Sequence, residues 1–185
     1  RIYDNFIADV AWVCRPGCAA CCTRNVTVTT LEAALMAHRL SGDGDRAWIG
    51  RIRAAASEPR FQPLMTTNEL ADLCARDAEI PQEELPADTL PCPLLQDALC
   101  AVYDARPFGC RAMVSSVDCA QSAEALMPPL VLSVNNVFLQ FIEAVDAGRL
   151  FGNLIDVLQL MANPLEYQSY ARGLPMRAPQ LMRVN

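Results

Sequence analysis

Four cysteines fall within nine residues in the stretch Cys14-Arg-Pro-Gly-Cys18-Ala-Ala-Cys21-Cys22. A core needs volume, and small thiols at loop spacing supply little of it. The run therefore constrains the fold by chemistry: the backbone must curl so that several sulfurs face one point, and Pro16-Gly17 provides the turn. A second group of four follows, Cys92, Cys100, Cys110 and Cys119, punctuated by Pro93, Pro107 and Gly109 and expected to be loop rather than helix. Four is the ligand count of a tetrahedral zinc site and of a cubane iron-sulfur cluster. All-thiolate donors select such soft or borderline metals over magnesium or calcium. These eight cysteines are the candidate metal ligands, and the lone His38 is an ordinary helix residue.

Composition narrows the remaining classes. The net charge is -6 and no basic run occurs, so a nucleic-acid partner is not expected. All 15 cationic side chains are arginine, which excludes lysine Schiff-base chemistry and a phosphate-loop lysine. No run of 18 apolar residues is present, so no membrane span is expected. The N-terminal Arg-Ile-Tyr-Asp-Asn-Phe lacks the architecture of a secretory signal, and the expected location is cytoplasmic. Thiols stay reduced there, and nine of them would leave one unpaired in any intramolecular disulfide scheme.

The fold expectation is mainly α: a single helical domain over residues 1–185 around a loop-built, cysteine-rich metal region formed by residues 14–22 and 92–119, with C-terminal helices over 130–162. Phe6, Val10 and Val13 suggest a short leading helix, and residues 24–29 read as an extended piece. Thr29 with Glu32, and Thr66 with Glu69, are capping boxes that start helices. The first helix runs to about Leu40, where Ser-Gly-Asp-Gly at 41–44 stops it, and another starts near Asp45 with Trp48, Ile49 and Ile52 on one side. In the helix after Thr66, Leu70, Leu73 and Cys74 share a face expected to be buried, making Cys74 a passive core thiol. From Leu130 to about Phe151 a long helix is expected to bury Val134, Val137, Phe138, Phe141, Ile142 and Val145, with a further helix over 153–161 and a tail beyond Pro164 on the surface.

The second cysteine group reads Cys92-Pro-Leu-Leu, then Cys100-Ala-Val-Tyr103-Asp-Ala-Arg106-Pro107-Phe-Gly-Cys110-Arg111. This pattern, with the N-terminal run, resembles the bacterial zinc- or iron-chelating cysteine-cluster (CxxCxxCC) family, related to flagellin lysine-N-methylase-like proteins. The first spacing departs from it, being C-x3-C where the family has C-x2-C. The resemblance covers about residues 14–120 and implies that Cys14, Cys18, Cys21, Cys22, Cys92, Cys100, Cys110 and Cys119 hold the metal, with Cys74 outside the pattern. Arg15, Arg24, Arg106 and Arg111 lie beside cysteines in sequence, where guanidinium donors would hydrogen-bond metal-bound sulfur and offset its negative charge, with Arg106 and Arg111, and with them Tyr103, foremost.

Three functions follow from such a site. The first is a metal-binding protein holding an iron-sulfur cluster or zinc for electron transfer, metal handling or service to an enzyme. The second is a metal-dependent enzyme with an open coordination position, with methyl transfer raised by the resemblance. The third is a structural zinc module whose C-terminal helices engage a protein partner. Tandem Cys21-Cys22 tilts the metal toward an iron-sulfur cluster, because adjacent side chains point apart and reach different atoms of a cluster, or two separate sites, more easily than one ion.

Overall fold

The computed structural model of the protein describes residues 2–42, 46–86, 90–122 and 125–185, with only the backbone of Ala120. It is mainly helical. In chain order come α1 (Ile2–Ala8), β1 (Thr27–Thr29), α2 (Thr30–Ser41), α3 (Ala47–Ala55) and α4 (Thr67–Ala75). The hairpin strands β2 (Leu95–Gln96) and β3 (Leu99–Cys100) lead through a 3-10 turn to α5 (Phe108–Ala112) and α6 (Cys119–Ser122). The long α7 (Pro129–Val145) is followed by β4 (Leu150–Asn153), α8 (Leu154–Met161), α9 (Pro164–Ala171) and β5 (Met182–Arg183). The expected stop at residues 41–44 and the helix start near Asp45 fall partly on positions 43–45, outside the described residues.

The core forms around β4 and α8. Central β4 pairs antiparallel with β1 (Val28 opposite Gly152) and with β5 (Phe151 opposite Met182). Helix α8 packs on α2, α3 and α9 and is apolar nearly all round, with Leu154, Ile155, Val157, Leu158 and Met161 buried against Val28, Met36, Trp48 and Ile52. Asn153 turns strand into helix: its Oδ1 accepts from Ile155 N at 2.9 Å, while its Nδ2 donates to the carbonyls of Arg24 and Phe61.

Both capping boxes form. Thr29 Oγ1 accepts from Glu32 N at 3.3 Å and Glu32 Oε2 accepts from Thr29 N at 3.0 Å; Thr66 and Glu69 make the same reciprocal pair. Two acids at the C-terminal end of α7 complete the same helix starts from outside. Glu143 accepts from Thr67 N and Asn68 N at 2.7 and 2.8 Å, and Asp146 accepts from Thr30 Oγ1 and Leu31 N at 2.7 and 2.8 Å. A carboxylate placed against unpaired helix N–H groups meets the positive end of the helix dipole.

That arrangement overturns part of the expected burial. The inward face of α7 carries Val131, Asn135 and Glu143, while Val137, Phe141 and Val145 are 64, 65 and 59% exposed. The helix ends at Val145, and Leu150 and Phe151 are strand, because Gly148 takes φ +78 and turns the chain so that Gly148 N donates to Val184 O. Helix α4 has no buried residue, so Cys74 and Leu70 are exposed instead of core. The tail docks: Met176, Leu181 and Val184 are buried and β5 extends the sheet. The leading helix stops at Ala8, leaving Val10 and Val13 beyond it.

Candidate metal centre

The N-terminal cysteines lie on irregular backbone shaped by local turns. Cys18 N donates to Arg15 O at 3.0 Å across Pro16-Gly17, with Gly17 at φ +85; proline before a left-handed glycine is the signature of a type II turn. A second turn closes from Cys22 N to Ala19 O. The start of the run is pinned to a distant loop, Val13 N donating to Ser115 O at 2.9 Å and Ser115 N to Cys14 Sγ at 3.3 Å. Ser115 Oγ also bonds Val117 O, shaping the approach to Cys119 at the start of α6.

The end of the run is pinned elsewhere. Cys92 N donates to Cys22 O at 2.8 Å, Thr23 pairs with Pro91, and Arg24 N donates to Leu90 O. Three residues on, the β2–β3 hairpin turns through Asp97 and Ala98, both at positive φ, as a two-residue I′-like turn requires. Its register sets Cys100 opposite Leu95, beside Cys92. Cys110 rides on α5, which is held from three sides. Glu32 Oε1 accepts from Phe108 N at 2.7 Å, Asn135 Nδ2 donates to Ala112 O, and Phe108 packs against Tyr3 and Phe138 with centroids 4.8 and 5.4 Å away. The second cysteine group is thus not all loop: Cys100 is in a strand, Cys110 in a helix and Cys119 begins one.

These segments enclose a cavity of about 280 Å³ lined by Cys14, Cys18, Cys21, Cys22, Cys92, Cys100 and Cys110, with Tyr103, Arg106 and Arg111 also on its wall. Cys119 is not on the lining but lies near enough for its charge to act on Cys14. All nine cysteines are free thiols. Among the described residues no group of three or more His, Cys, Asp or Glu side chains is drawn together closely enough to clasp an ion. The sulfurs share a cavity instead of closing a coordination sphere.

Crowding of buried thiols raises the cost of ionising them. Burial, then the charges of Cys92, Cys100 and Cys21, pushes Cys110 up to about 12, and burial likewise pushes Cys92 and Cys14 up. A hydrogen bond between the neighbouring thiols of Cys21 and Cys22 moves the pair oppositely, raising Cys21 and lowering Cys22. A cation among these sulfurs would reverse that cost, because it stabilises thiolate directly.

Of the four arginines beside cysteines, the two placed foremost from sequence are not the buried one. Arg111 pairs with Asp4 at 2.7 Å on an exposed edge, and Arg106 lies over the Tyr103 ring at 3.7 Å and donates to Tyr103 O. Arg106 still acts at a distance, its charge easing ionisation of Cys21 and Cys110. The buried guanidinium is that of Arg24, 8% exposed, whose Nε and Nη1 have no hydrogen-bond partner. Its charge favours the thiolate of Cys92. An unpaired buried cation is costly unless an anion meets it, and thiolates carrying net negative charge around a metal would supply one. On donor chemistry and on this orphaned guanidinium, the residues suit a thiolate-bound metal. The sequence signal for Arg24 was its place two residues after Cys22, a position shared in kind with three other arginines beside cysteines.

The chain matches no protein-family model, no curated protein and no solved structure. No helix among the described residues is long and apolar enough to cross a membrane.

Proposed function

We propose that this is a metal-binding protein whose thiolates hold an iron-sulfur cluster or zinc, in electron transfer, metal handling or support of an enzyme. The observation that carries the reading is the meeting of seven thiols, from residues 14–22, 92–100 and 110, at one cavity beside a buried guanidinium with unpartnered nitrogens. Disulfide scaffolding would pair the sulfurs, and inert core thiols would be dispersed; neither accounts for the convergence. The cysteine-cluster resemblance supports the same ligand set. Bound iron-sulfur would supply one-electron chemistry, and bound zinc would supply rigidity or a Lewis acid.

The chain's own residues define what the site offers. Glu32, Asn135 and the Tyr3–Phe108–Phe138 cluster hold α5 and hence Cys110, while Ser115 holds Cys14. Tyr3, Ile7, Trp12, Leu95, Leu99 and Met113 give the cavity an apolar wall beside the sulfurs. That wall favours, as the second reading, an enzyme that admits a small molecule to the metal. Purification without air, followed by iron, labile sulfide and zinc quantitation with a visible spectrum, tests the proposal. Stoichiometric metal is expected, with charge-transfer absorption if a cluster is present. Protein that is folded, reduced and unable to take up either metal would overturn it.

A further inference from the structure

We propose that the outward face of α7 is where two copies of this chain pair, their helices lying antiparallel about Val137. The pairing goes beyond the metal-binding reading and is independent of it, because α7 (Pro129–Val145) contains no cysteine.

The helical repeat defines the face. Leu130, Val134, Val137, Phe141 and Ala144 recur at steps of four, three, four and three, so they share one side of the helix, with Val145 at its edge. Val131, Asn135 and Glu143 lie on the opposite side and are buried. Val134 is half-buried and the others on the outward side are exposed, Leu130 by 67%. Alternating steps of four and three are those of the seam along which two helices interlock. Ser133 and Gln140 flank the strip, and the single charged residue of the helix, Glu143, is turned inward onto Thr67 N and Asn68 N.

Three properties select a second copy as the occupant. The strip is nearly palindromic about Val137, with apolar residues seven and three positions before it and four and seven positions after it. A two-fold contact requires such a pattern. With the helices antiparallel, Leu130 meets the partner's Val145 and the projecting Phe141 meets the recessed Val134 of the partner, each pair occurring twice. The second property is charge. At a net charge of -6 two copies repel one another, and this face brings no charge to their contact. A helix built for a membrane surface would instead flank its strip with arginine or lysine, and α7 has neither. The third is area. Two such strips brought together bury on the order of 1,000 Å², at the small end of specific interfaces, which gives a dimer that dissociates on dilution. Ile2, exposed on α1 and sharing a groove with Phe138, adds apolar surface at the edge.

Sedimentation equilibrium of the reduced full chain, with chelator and again with zinc, tests the pairing. A monomer–dimer equilibrium at micromolar concentration is expected in both conditions. Leu130→Glu and Val145→Arg, each at an exposed position, should weaken association by about tenfold or more when used alone. An equal mixture of the two should restore it, because antiparallel pairing sets the introduced charges side by side. Val137→Glu should leave a monomer, whereas Leu165→Glu on exposed α9 should leave the dimer intact. Should a charged variant fail to fold, Val137→Ser and Phe141→Ser read the same loss. A chain that stays monomeric, a dimer indifferent to substitution at Val137, a mixture without rescue, or a monomer that binds phosphatidylcholine vesicles through this face overturns the proposal. Metal content is read separately and stands or falls by itself.

Discussion

The region around β4 and α8 and the region around the cysteines bury polar groups in different ways. In the first, buried polar side chains meet partners within the protein: Asn153 bonds Arg24 O, Phe61 O and Ile155 N, Asp146 bonds the start of α2, and Asp156 pairs with Arg60 and Gln62. Trp48 Nε1 is the exception there. In the second, Arg24 Nε and Nη1 are buried without partners and seven thiols face one cavity with ionisation suppressed in several. One region is held by packing and internal hydrogen bonds. The other gathers thiols at one cavity beside a buried guanidinium with two unpartnered nitrogens.

That contrast can be broken most forcefully in the core. Leu158→Ala, at a fully buried position, should lower unfolding free energy by about 2–5 kcal/mol. Denaturant unfolding with and without added metal should give the same loss; a loss that depends on metal would join the two regions energetically.

Next in size is removal of the proposed metal. Stripping with a chelator should cost about 2.7 kcal/mol relative to protein held at a free metal concentration a hundredfold above Kd. Hydrogen exchange should then rise in residues 13–24 and 90–112 while α8 keeps its protection. Equal deprotection of α8 would show that the core region needs the metal.

Smaller again is the link that runs between the regions through Glu32, which starts α2 and also holds Phe108 N of α5. Burial raises its carboxyl above the usual range, even though several donors oppose the shift. The folded state therefore binds this proton more tightly than the unfolded chain does. Its contribution is most favourable below the unfolded value of about 4.3 and falls as pH rises toward the folded value. Subtracting the stability curve of Glu32→Gln from that of the parent should give a difference that declines with pH across this window. A flat or rising difference would contradict the burial argument.

The smallest effect is expected outside both regions. Cys74→Ala, on exposed α4, should change stability by less than about 0.5 kcal/mol and leave metal content as it was. Less metal in that variant would make Cys74 a ligand.

Features set by neighbours in sequence were legible in advance. Thr29 with Glu32 and Thr66 with Glu69 start helices because every atom of a capping box lies within one turn. Trp48 and Ile52 are buried as the periodicity of α3 implied. The Pro16-Gly17 turn needs nothing beyond its own four residues. Where reading failed, the deciding contact was distant. Periodicity marked an apolar stripe on α7, yet the inward direction was set by Glu143 and Asp146, which serve helix starts about 75 and 115 residues away in sequence. Cys74 matched a core pattern, but whether that face met anything depended on how α4 lies against α7.

By itself, then, the sequence determined a mainly helical chain, the starts of two of its helices, and a set of eight cysteines of which seven share a cavity. Only the tertiary structure decided which thiols neighbour which, and that Arg24, rather than Arg106 or Arg111, is the buried cation beside them. The reason is the range of the interactions. Caps and turns close within a few residues, whereas Cys22 meets Cys92 and Cys14 meets Ser115 through hydrogen bonds spanning roughly 70 and 100 residues, which exist only once the sheet, α5 and α7 are assembled.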